Sequence, residues 1–270
     1  MTKNFMANTI LLQRRIKTAQ NVSKTTRAMQ MIAASKLKKA QEAALSSRPY
    51  VEKLSVVTKS LTANVDKQSL PAYMQEKKSA GKTLLIVIAP DKGLCGGLVS
   101  NLAREVLRRE AKHDILVTVG KKIESTATYT GNDYAASFPF GNTLPSFTVV
   151  YPLAQLIEEY FLGGKVDKVE ILSTHFQTIF TQKPKFMQLL PIKQEAEESK
   201  QGANKFQEFE PDAETILPDL LTRYLEMVLY QEILEAYLSE QAARMLSMQN
   251  ATNNAKDIIA DLQLEYNKSR

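Results

Sequence analysis

The sequence predicts an α/β fold in which a central Rossmann-like α/β domain is joined to a long antiparallel coiled coil formed by the two ends of the chain. Proline and glycine support this division, because they fall almost wholly in the middle of the 270 residues, between Pro49 and Pro218. Short apolar runs alternate with amphipathic segments in the same middle region, which is typical of a sheet covered by helices.

The first element is an N-terminal coiled-coil helix over residues 1–65. Apolar and small side chains recur there at steps of three, four or seven, and the many alanines allow two helix backbones to approach closely. The predicted seam consists of Leu12, Ala19, Val22, Met29, Ala33, Leu37 and Ala40.

The central α/β domain is expected over residues 66–210. A continuous apolar run at Thr83–Pro90 predicts a buried parallel strand, and a helical pattern follows at Leu98–Glu110. The remaining predicted elements are strands at Asp114–Gly120 and Val166–Thr174, a helix at Pro152–Leu162 and a fourth strand at Lys185–Pro191. Such alternation suggests a small doubly wound sheet, and the polar stretch Lys193–Pro211 reads as a loop or linker.

The last element is a C-terminal coiled-coil helix over residues 211–270 that pairs with the first. From Asp219 to Arg270 it would run roughly 75–80 Å, so it must protrude or pair. Its seam is predicted at Leu221, Tyr224, Leu225, Val228, Leu238, Ala242, Met245, Met248, Ala255, Ile259, Leu262 and Tyr266. The alternative interpretation is a pair of ordinary bundle helices.

The two ends also carry opposite charge, which the net charge of +6 conceals. Residues 1–60 contain 12 Lys and Arg against two Asp and Glu, whereas residues 211–270 contain five against ten. This asymmetry suggests that the ends attract each other and that the basic end meets an acidic partner.

The glycine-rich segment Asp91–Gly97 follows a strand, where a nucleotide-binding fold would place its phosphate loop. It matches neither G-x-G-x-x-G nor the Gly-Lys-Ser/Thr ending of a phosphate loop. We therefore interpret Gly93, Gly96 and Gly97 as residues of a tight turn, with nucleotide binding as the weaker alternative. For Cys95, a buried structural role is favoured over a reactive thiol.

No catalytic constellation emerges from the sequence. Neither His113 nor His175 has a partner at a recognisable spacing, and a single cysteine with two histidines argues against a metal site and an internal disulfide. We expect no catalytic residue, no cofactor and no bound metal. The longest apolar run, Leu84–Pro90, is too short to span a bilayer, and Met1–Ile10 lacks the apolar region of a secretory signal.

Nucleic-acid binding is the alternative function, because the basic N-terminal helix could neutralise phosphates. Against it, no aromatic residue occurs between Met6 and Arg48 to stack on a base. Lysines beside an alanine-rich seam are equally well explained by a shaft that meets acidic protein surfaces.

Three stretches together resemble the gamma subunit family of F-type ATP synthases. They are Arg15–Leu37 (RIKTAQNVSKTTRAMQMIAASKL), Asp91–Leu98 (DKGLCGGL), and Ser239–Ala255 (SEQAARMLSMQNATNNA) followed by Leu264–Lys268 (LEYNK). They occur in the family's order and span nearly the whole chain, which makes the resemblance specific.

The resemblance implies a central-stalk rotor subunit without catalytic activity of its own. The paired terminal helices would enter a ring of three alpha and three beta subunits, and the α/β domain would sit near the membrane with the epsilon subunit and the c ring. Rotation of the c ring by proton flow would then change the conformations of the catalytic beta sites.

The resemblance also implies four partner-contact residues for the alpha and beta subunits. Met29 and Lys36 match positions near a moving acidic segment of beta, and Glu240 and Arg244 match positions that contact loops of the surrounding subunits. Glu240 and Arg244 are one helical turn apart, so an intrahelical pair is the simpler alternative, and both roles are compatible.

Two observations predict where the protein is located in the cell. A single cysteine excludes the redox-active cysteine pair of the plant chloroplast form, and no transit peptide is recognisable. We therefore expect a bacterial protein at the cytoplasmic face of the plasma membrane. Members of the family usually continue several turns past the residues that match Tyr266–Lys268.

Overall fold

The computed structural model describes residues 2–63, 65, 70–76, 81–109, 114–192 and 212–270. The chain begins with one long helix, α1 (Thr2–Ala63), and ends with another, α5 (Ala213–Ser269). The strands of a central mixed sheet lie between them in the sequence. The predicted fold class, a long antiparallel helix pair with a central α/β domain, is confirmed. His113 and the linker predicted at Lys193–Pro211 lie outside the described residues.

Helices α1 and α5 run antiparallel with a constant register and form what we call the shaft. The Gln13 amide donates to the Tyr266 hydroxyl at 2.7 Å, and the Thr26 and Thr252 hydroxyls lie 2.7 Å apart. Nearer the domain, the Ser47 hydroxyl donates to the Gln231 amide oxygen at 2.5 Å. Because the pairing register is the same from Gln13 to Ser47, the two helices pack with one register over about 50 Å.

Small residues form the buried seam of the shaft. Ala40 is fully buried, and the buried seam also contains Leu12, Ala33, Leu37, Ala44, Leu238, Ala242, Met248, Ala255 and Leu262. The prediction was wrong at Val22, a residue that is 46% exposed. Val22 instead lines a shallow depression with Ala255 and Ile258, since small side chains bring the two backbones together there and leave larger neighbours at the rim.

Both long helices pass through a proline. Helix α1 continues through Pro49 to Ala63, and α5 begins at Ala213, five residues before Pro218. A proline removes one backbone hydrogen bond from a helix interior. Packing against the domain compensates here, because Leu61, Leu217 and Leu221 belong to the core that the shaft helices share with the sheet.

The sheet has five strands in the order β3-β2-β1-β4-β5. They are β1 (Thr83–Ile88), β2 (Ile115–Val119), β3 (Asp133–Phe138), β4 (Lys168–Thr178) and β5 (Thr181–Leu190). Strands β1 to β4 are parallel, and β5 pairs with β4 in the antiparallel sense. The shorter helices are α2 (Leu98–Arg108), α3 (Glu124–Tyr129) and α4 (Val150–Leu162).

Two hydrophobic cores lie on opposite faces of the sheet. Leu84, Ile86 and Ile88 face a core shared with α4 and the shaft helices, so the shaft itself covers one face of the sheet. Leu85 and Val87 face the second core, which α2 and α3 complete. The alternation follows from the period of two in a strand, and the domain and shaft therefore fold as one packed body.

No helix in the described part of the chain is long and apolar enough to cross a membrane.

Candidate functional site

Three of the four predicted contact residues meet where the shaft passes the carboxyl ends of the parallel strands. We call this place the junction, and it comprises Lys36 on α1, Glu240 and Arg244 on α5, and the loops that follow β1 and β3. Met29 is half-buried and lies seven residues from Lys36, about 10 Å further along α1 and outside the junction.

Glu240 and Arg244 form an ion pair across one turn of α5, as the spacing predicted. The Glu240 residue is only 2% exposed. The Arg244 guanidinium also reaches the loop after β1, where Nη2 donates to the carbonyl oxygens of Lys92 at 3.1 Å and Gly93 at 3.2 Å. The pair therefore ties the shaft to the domain, a contact that sequence spacing does not reveal.

The electrostatics of Glu240 reflect its burial. Burial raises the pKa of Glu240 above the usual value of a glutamate, and the nearby charges of Arg244 and Lys36 lower it only in part. Asp91 raises it further. Oε2 of Glu240 is buried without a hydrogen-bond partner among the described residues. The shaft thus holds a carboxyl group at the junction whose second oxygen is unsatisfied.

Lys36 connects the other shaft helix to the domain. Its Nζ donates to the carbonyl oxygen of Asn142 at 2.5 Å, in the loop after β3. The domain is consequently attached to both helices of the shaft, through the loops that follow β1 and β3 on either side of β2.

Asp91 organises these loops. Its Oδ1 accepts hydrogen bonds from the backbone N–H of Lys121 at 3.0 Å and of Phe140 at 3.4 Å, and Oδ2 accepts from the N–H of Gly141 at 2.8 Å. One carboxylate thereby joins the loops that follow β1, β2 and β3. These hydrogen bonds give a structural role to the aspartate that opens the glycine-rich segment Asp91–Gly97.

The rest of the segment Asp91–Gly97 is a tight turn, as its glycines predicted, but a residue other than glycine also adopts a positive φ. Gly96 has φ +60°, and Leu94 also adopts a positive φ, 65°, which is uncommon for a residue with a side chain. Cys95 is buried, as expected, and burial raises the pKa of its thiol. A protonated thiol is a weak nucleophile, so the structure disfavours a reactive cysteine.

The turn is poorly arranged for a phosphate. Phosphate loops direct backbone N–H groups toward the ligand. Here the Lys92 and Gly93 carbonyl oxygens point toward the shaft and accept from Arg244. Within the described residues, no group of three or more His, Cys, Asp and Glu is placed to hold a metal ion. The local geometry supports a mechanical junction in place of a nucleotide site.

Replacing Asp91 by alanine tests the role of this carboxylate. We expect the free energy of unfolding to fall by about 2–3 kcal/mol, because three backbone N–H groups lose their acceptor. Asp91→Asn should lose less, since one oxygen remains as an acceptor. Urea unfolding followed by circular dichroism measures the change, with the exposed Asp219→Ala as a control expected within about 0.5 kcal/mol of the parent. Equal losses in Asp91→Ala and Asp219→Ala would contradict this role.

Sequence spacing failed to identify a partner for His175. The structure places the ring beside Glu235 on α5, with Nδ1 2.5 Å from Oε1. No local signal could have shown this contact, because the two residues lie on elements that are far apart in the sequence.

Comparison with known proteins agrees with this architecture. Residues 8–270 match the model of a family described as ATP synthase. An ATP synthase gamma chain of Dehalococcoides mccartyi is 40% identical over 98% of this chain and 93% of its own length. An ATP synthase gamma chain of Roseiflexus sp. is 35% identical over the same shares of the two chains.

Solved structures with the same architecture come from rotary assemblies. A chain from the central stalk and c ring of Tetrahymena thermophila mitochondrial ATP synthase aligns with a TM-score of 0.61 and 27% identity, covering 84% of this chain and 99% of that one. A chain from the rotor of Euglena gracilis mitochondrial ATP synthase aligns with a TM-score of 0.66, covering 98% of both chains, and at 18% identity it shows the fold alone. None of these matches supports the nucleic-acid alternative. With the family match over nearly its full length and relatives at 35% and 40% identity, the chain belongs to the ATP synthase gamma chain family.

Proposed function

We propose that this chain is the central-stalk rotor subunit of a proton-translocating ATP synthase, coupling rotation of the c ring to conformational changes in the catalytic beta subunits. The observation that supports this most directly is the shaft, a helix pair in constant register that extends beyond a domain to which both helices are attached. A rigid pair fixed to a domain can transmit torque. The chain itself is a non-catalytic subunit, and ATP chemistry belongs to beta.

Purification of the tagged chain from its native membranes tests this function. We expect alpha and beta subunits to co-purify in threefold excess over the chain, together with epsilon and the c ring. Deletion of the chain should abolish proton-coupled ATP synthesis. Recovery of the tagged chain from the same membranes as a stable monomer without these partners would refute the function.

The chain is proposed to divide according to this function. Residues 1–65 and 211–270 form the shaft that enters the ring of alpha and beta subunits, and residues 66–210 form the domain that faces epsilon and the c ring. The excess of basic residues in the first 60 positions suits a helix that meets acidic segments of its partners.

We also infer peripheral association with the cytoplasmic face of a bacterial plasma membrane. Support comes from the bacterial origin of the relatives from Dehalococcoides and Roseiflexus. Immunoelectron microscopy of the source cells, or accessibility of the chain to protease in inverted membrane vesicles, tests this location.

The contact residues are proposed to act from two levels of the shaft. Lys36 and Arg244 already hold carbonyl oxygens of the domain, so only their remaining donors are available to acidic side chains of alpha and beta. Met29, about 10 Å further along α1, presents an uncharged thioether to the same ring. These assignments predict that charge at Met29 affects coupling more than stability.

Replacing Met29 by lysine should reduce proton pumping while ATP hydrolysis stays measurable. The physical reason is that an added charge on a face that slides past other charges creates preferred rotary positions. The measurement is the ratio of ATP-driven proton uptake to ATP hydrolysis in inverted vesicles, and Met29→Leu, with similar volume and no charge, is the control. Identical ratios in Met29→Lys, Met29→Leu and the parent would contradict the assignment.

A further inference from the structure

The outer part of the β4–β5 hairpin is supported differently from the rest of the sheet. Strand β1 pairs with β4 only from Lys168 to Leu172. From Ser173 onward the strand neighbour of β4 is β5, as far as the pair Thr178 and Thr181. We call residues 173–186 the outer arm. Since β1 no longer holds it, contacts with α5 are important for its position.

Polar contacts join the outer arm to one face of α5. The Ser173 hydroxyl donates to Oε2 of Glu232 at 2.5 Å, and the Ser239 hydroxyl donates to the carbonyl oxygen of Thr174 at 2.9 Å. Glu232, Glu235 and Ser239 recur at steps of three and four, so all three lie on the same side of the helix. Partly buried Phe176 adds an apolar contact with the main core.

His175 and Glu235 form the contact between these two hydrogen bonds. The ring Nδ1 lies 2.5 Å from Oε1 of Glu235. Glu235 is buried, and its Oε1 has no hydrogen-bond donor among the described residues. The His175 side chain is 40% exposed and can therefore exchange protons with solvent.

The charges around this contact do not balance when the imidazole is neutral. Helix α5 contributes the carboxyls of Glu232 and Glu235. Strand β5 places the exposed Lys183 and Lys185 opposite His175 and Ser173, and Lys185 acts on Glu232. Burial raises the pKa of Glu232, and the charge of Glu235 raises it further, against partial lowering by Ser173, Lys185 and His175. Among Lys183, Lys185 and His175, only the imidazole of His175 lies within ion-pair distance of the buried Glu235 carboxylate.

We propose that His175, Glu232 and Glu235 form a pH-sensitive joint between the shaft helix α5 and the outer arm, which tightens when the imidazole becomes protonated. An imidazole changes its charge between about pH 5 and 8, where the other exposed side chains keep theirs. Protonation supplies the counter-charge that Glu235 lacks. The positive charges of Lys183 and Lys185 oppose protonation of the imidazole only weakly, because both side chains are exposed and solvent screens their charge.

The inference concerns motion within the chain, so it does not depend on the proposed rotor function. Hydrogen exchange followed by mass spectrometry on the full chain measures it, using peptides that cover residues 173–186. At each pH, the hydrogen-exchange rate of the outer arm in His175→Gln is divided by the rate in the parent. This ratio removes the intrinsic pH dependence of amide exchange. Glu235→Gln is the second variant, and Glu226→Gln, which removes the α5 ion pair with Arg223, is the control.

We expect the exchange ratio of His175→Gln to the parent to be about fivefold at pH 6 and under about twofold at pH 8. Glu235→Gln should behave in the same way, and Glu226→Gln should give ratios that do not change between the two conditions. A His175→Gln ratio that is the same at pH 6 and pH 8 would overturn the proposal. So would a Glu235→Gln variant whose outer arm exchanges at the parent rate at pH 6.

Discussion

Replacing Gly120 by alanine should lower the free energy of unfolding by about 3–5 kcal/mol. Gly120 follows β2 with φ +107°, a conformation that residues with a side chain rarely adopt. A Cβ atom there would lie 1.8 Å from the carbonyl oxygen of Ala89. That oxygen belongs to backbone fixed by the hydrogen bond from Ala89 N–H to Val119 O at 2.8 Å, so it cannot move away cheaply.

The matched control is Gly131→Ala. Gly131 also has a positive φ, 72°, but no atom lies within 4 Å of the position that its Cβ would occupy. We expect a loss of about 1 kcal/mol from backbone strain alone. Guanidinium unfolding of both variants separates the two effects, and similar losses in the two would show that the close approach to Ala89 is not what requires glycine at position 120.

Replacing Arg109 by methionine should lower the free energy of unfolding by about 3–5 kcal/mol, because it leaves the buried Asp114 without its paired cation and Glu170 with Lys168 alone. Arg109 Nε donates to Oδ2 of Asp114 and Nη1 donates to Oε2 of Glu170, both at 2.5 Å. Burial raises the pKa of Glu170, but hydrogen bonds from Lys168 and Arg109 outweigh it, and the resulting pKa lies below the usual value. Burial raises the pKa of Asp114 in spite of Arg109.

The pH dependence of the stability difference between the parent and Arg109→Met gives a second measurement. Without Arg109, the pKa of Asp114 should rise further, so its buried charge destabilises the variant most at high pH and least after protonation. The difference in stability between parent and Arg109→Met should therefore narrow from pH 8 to pH 5. Arg108→Met removes the neighbouring arginine, whose side chain is 67% exposed and forms an ion pair across one turn with Glu105, and should change stability by less than about 0.5 kcal/mol. Equal losses in both variants, or a difference that does not vary with pH, would contradict this account.

The elements that sequence patterns predicted well are those with a strong hydrophobic signal. Strand β1 is buried on both faces and reads as a continuous apolar run, and the seam of the shaft recurs over many turns. Strand β3 was missed because Asp133–Phe138 is an edge strand that is half-exposed and has no clear alternation. Pro184 hid the first half of β5, since proline is usually tolerated only in edge strands, the position that β5 occupies.

The junction was predicted only in part, because its chemistry depends on contacts between distant residues. The pair of Glu240 and Arg244 follows from helical spacing alone. By contrast, the bond from Arg244 to the Gly93 carbonyl joins residues 151 apart, and the bond from Lys36 to Asn142 joins residues 106 apart. No periodic pattern encodes such distances. The three loops joined by Asp91 were likewise invisible until the order of the strands was known.

The antiparallel pairing of the chain ends has a consequence for cooperativity. Ser47 and Gln231 are 184 residues apart, and Gln13 and Tyr266 are 253 apart. If the sheet were unfolded, bringing Ser47 and Gln231 together would close a loop at an entropic cost of about 4–5 kcal/mol. The folded sheet already holds the two helices side by side, so this cost is absent. A substitution that unfolds the sheet should therefore also weaken the pairing of Gln13 with Tyr266, although it contacts neither residue.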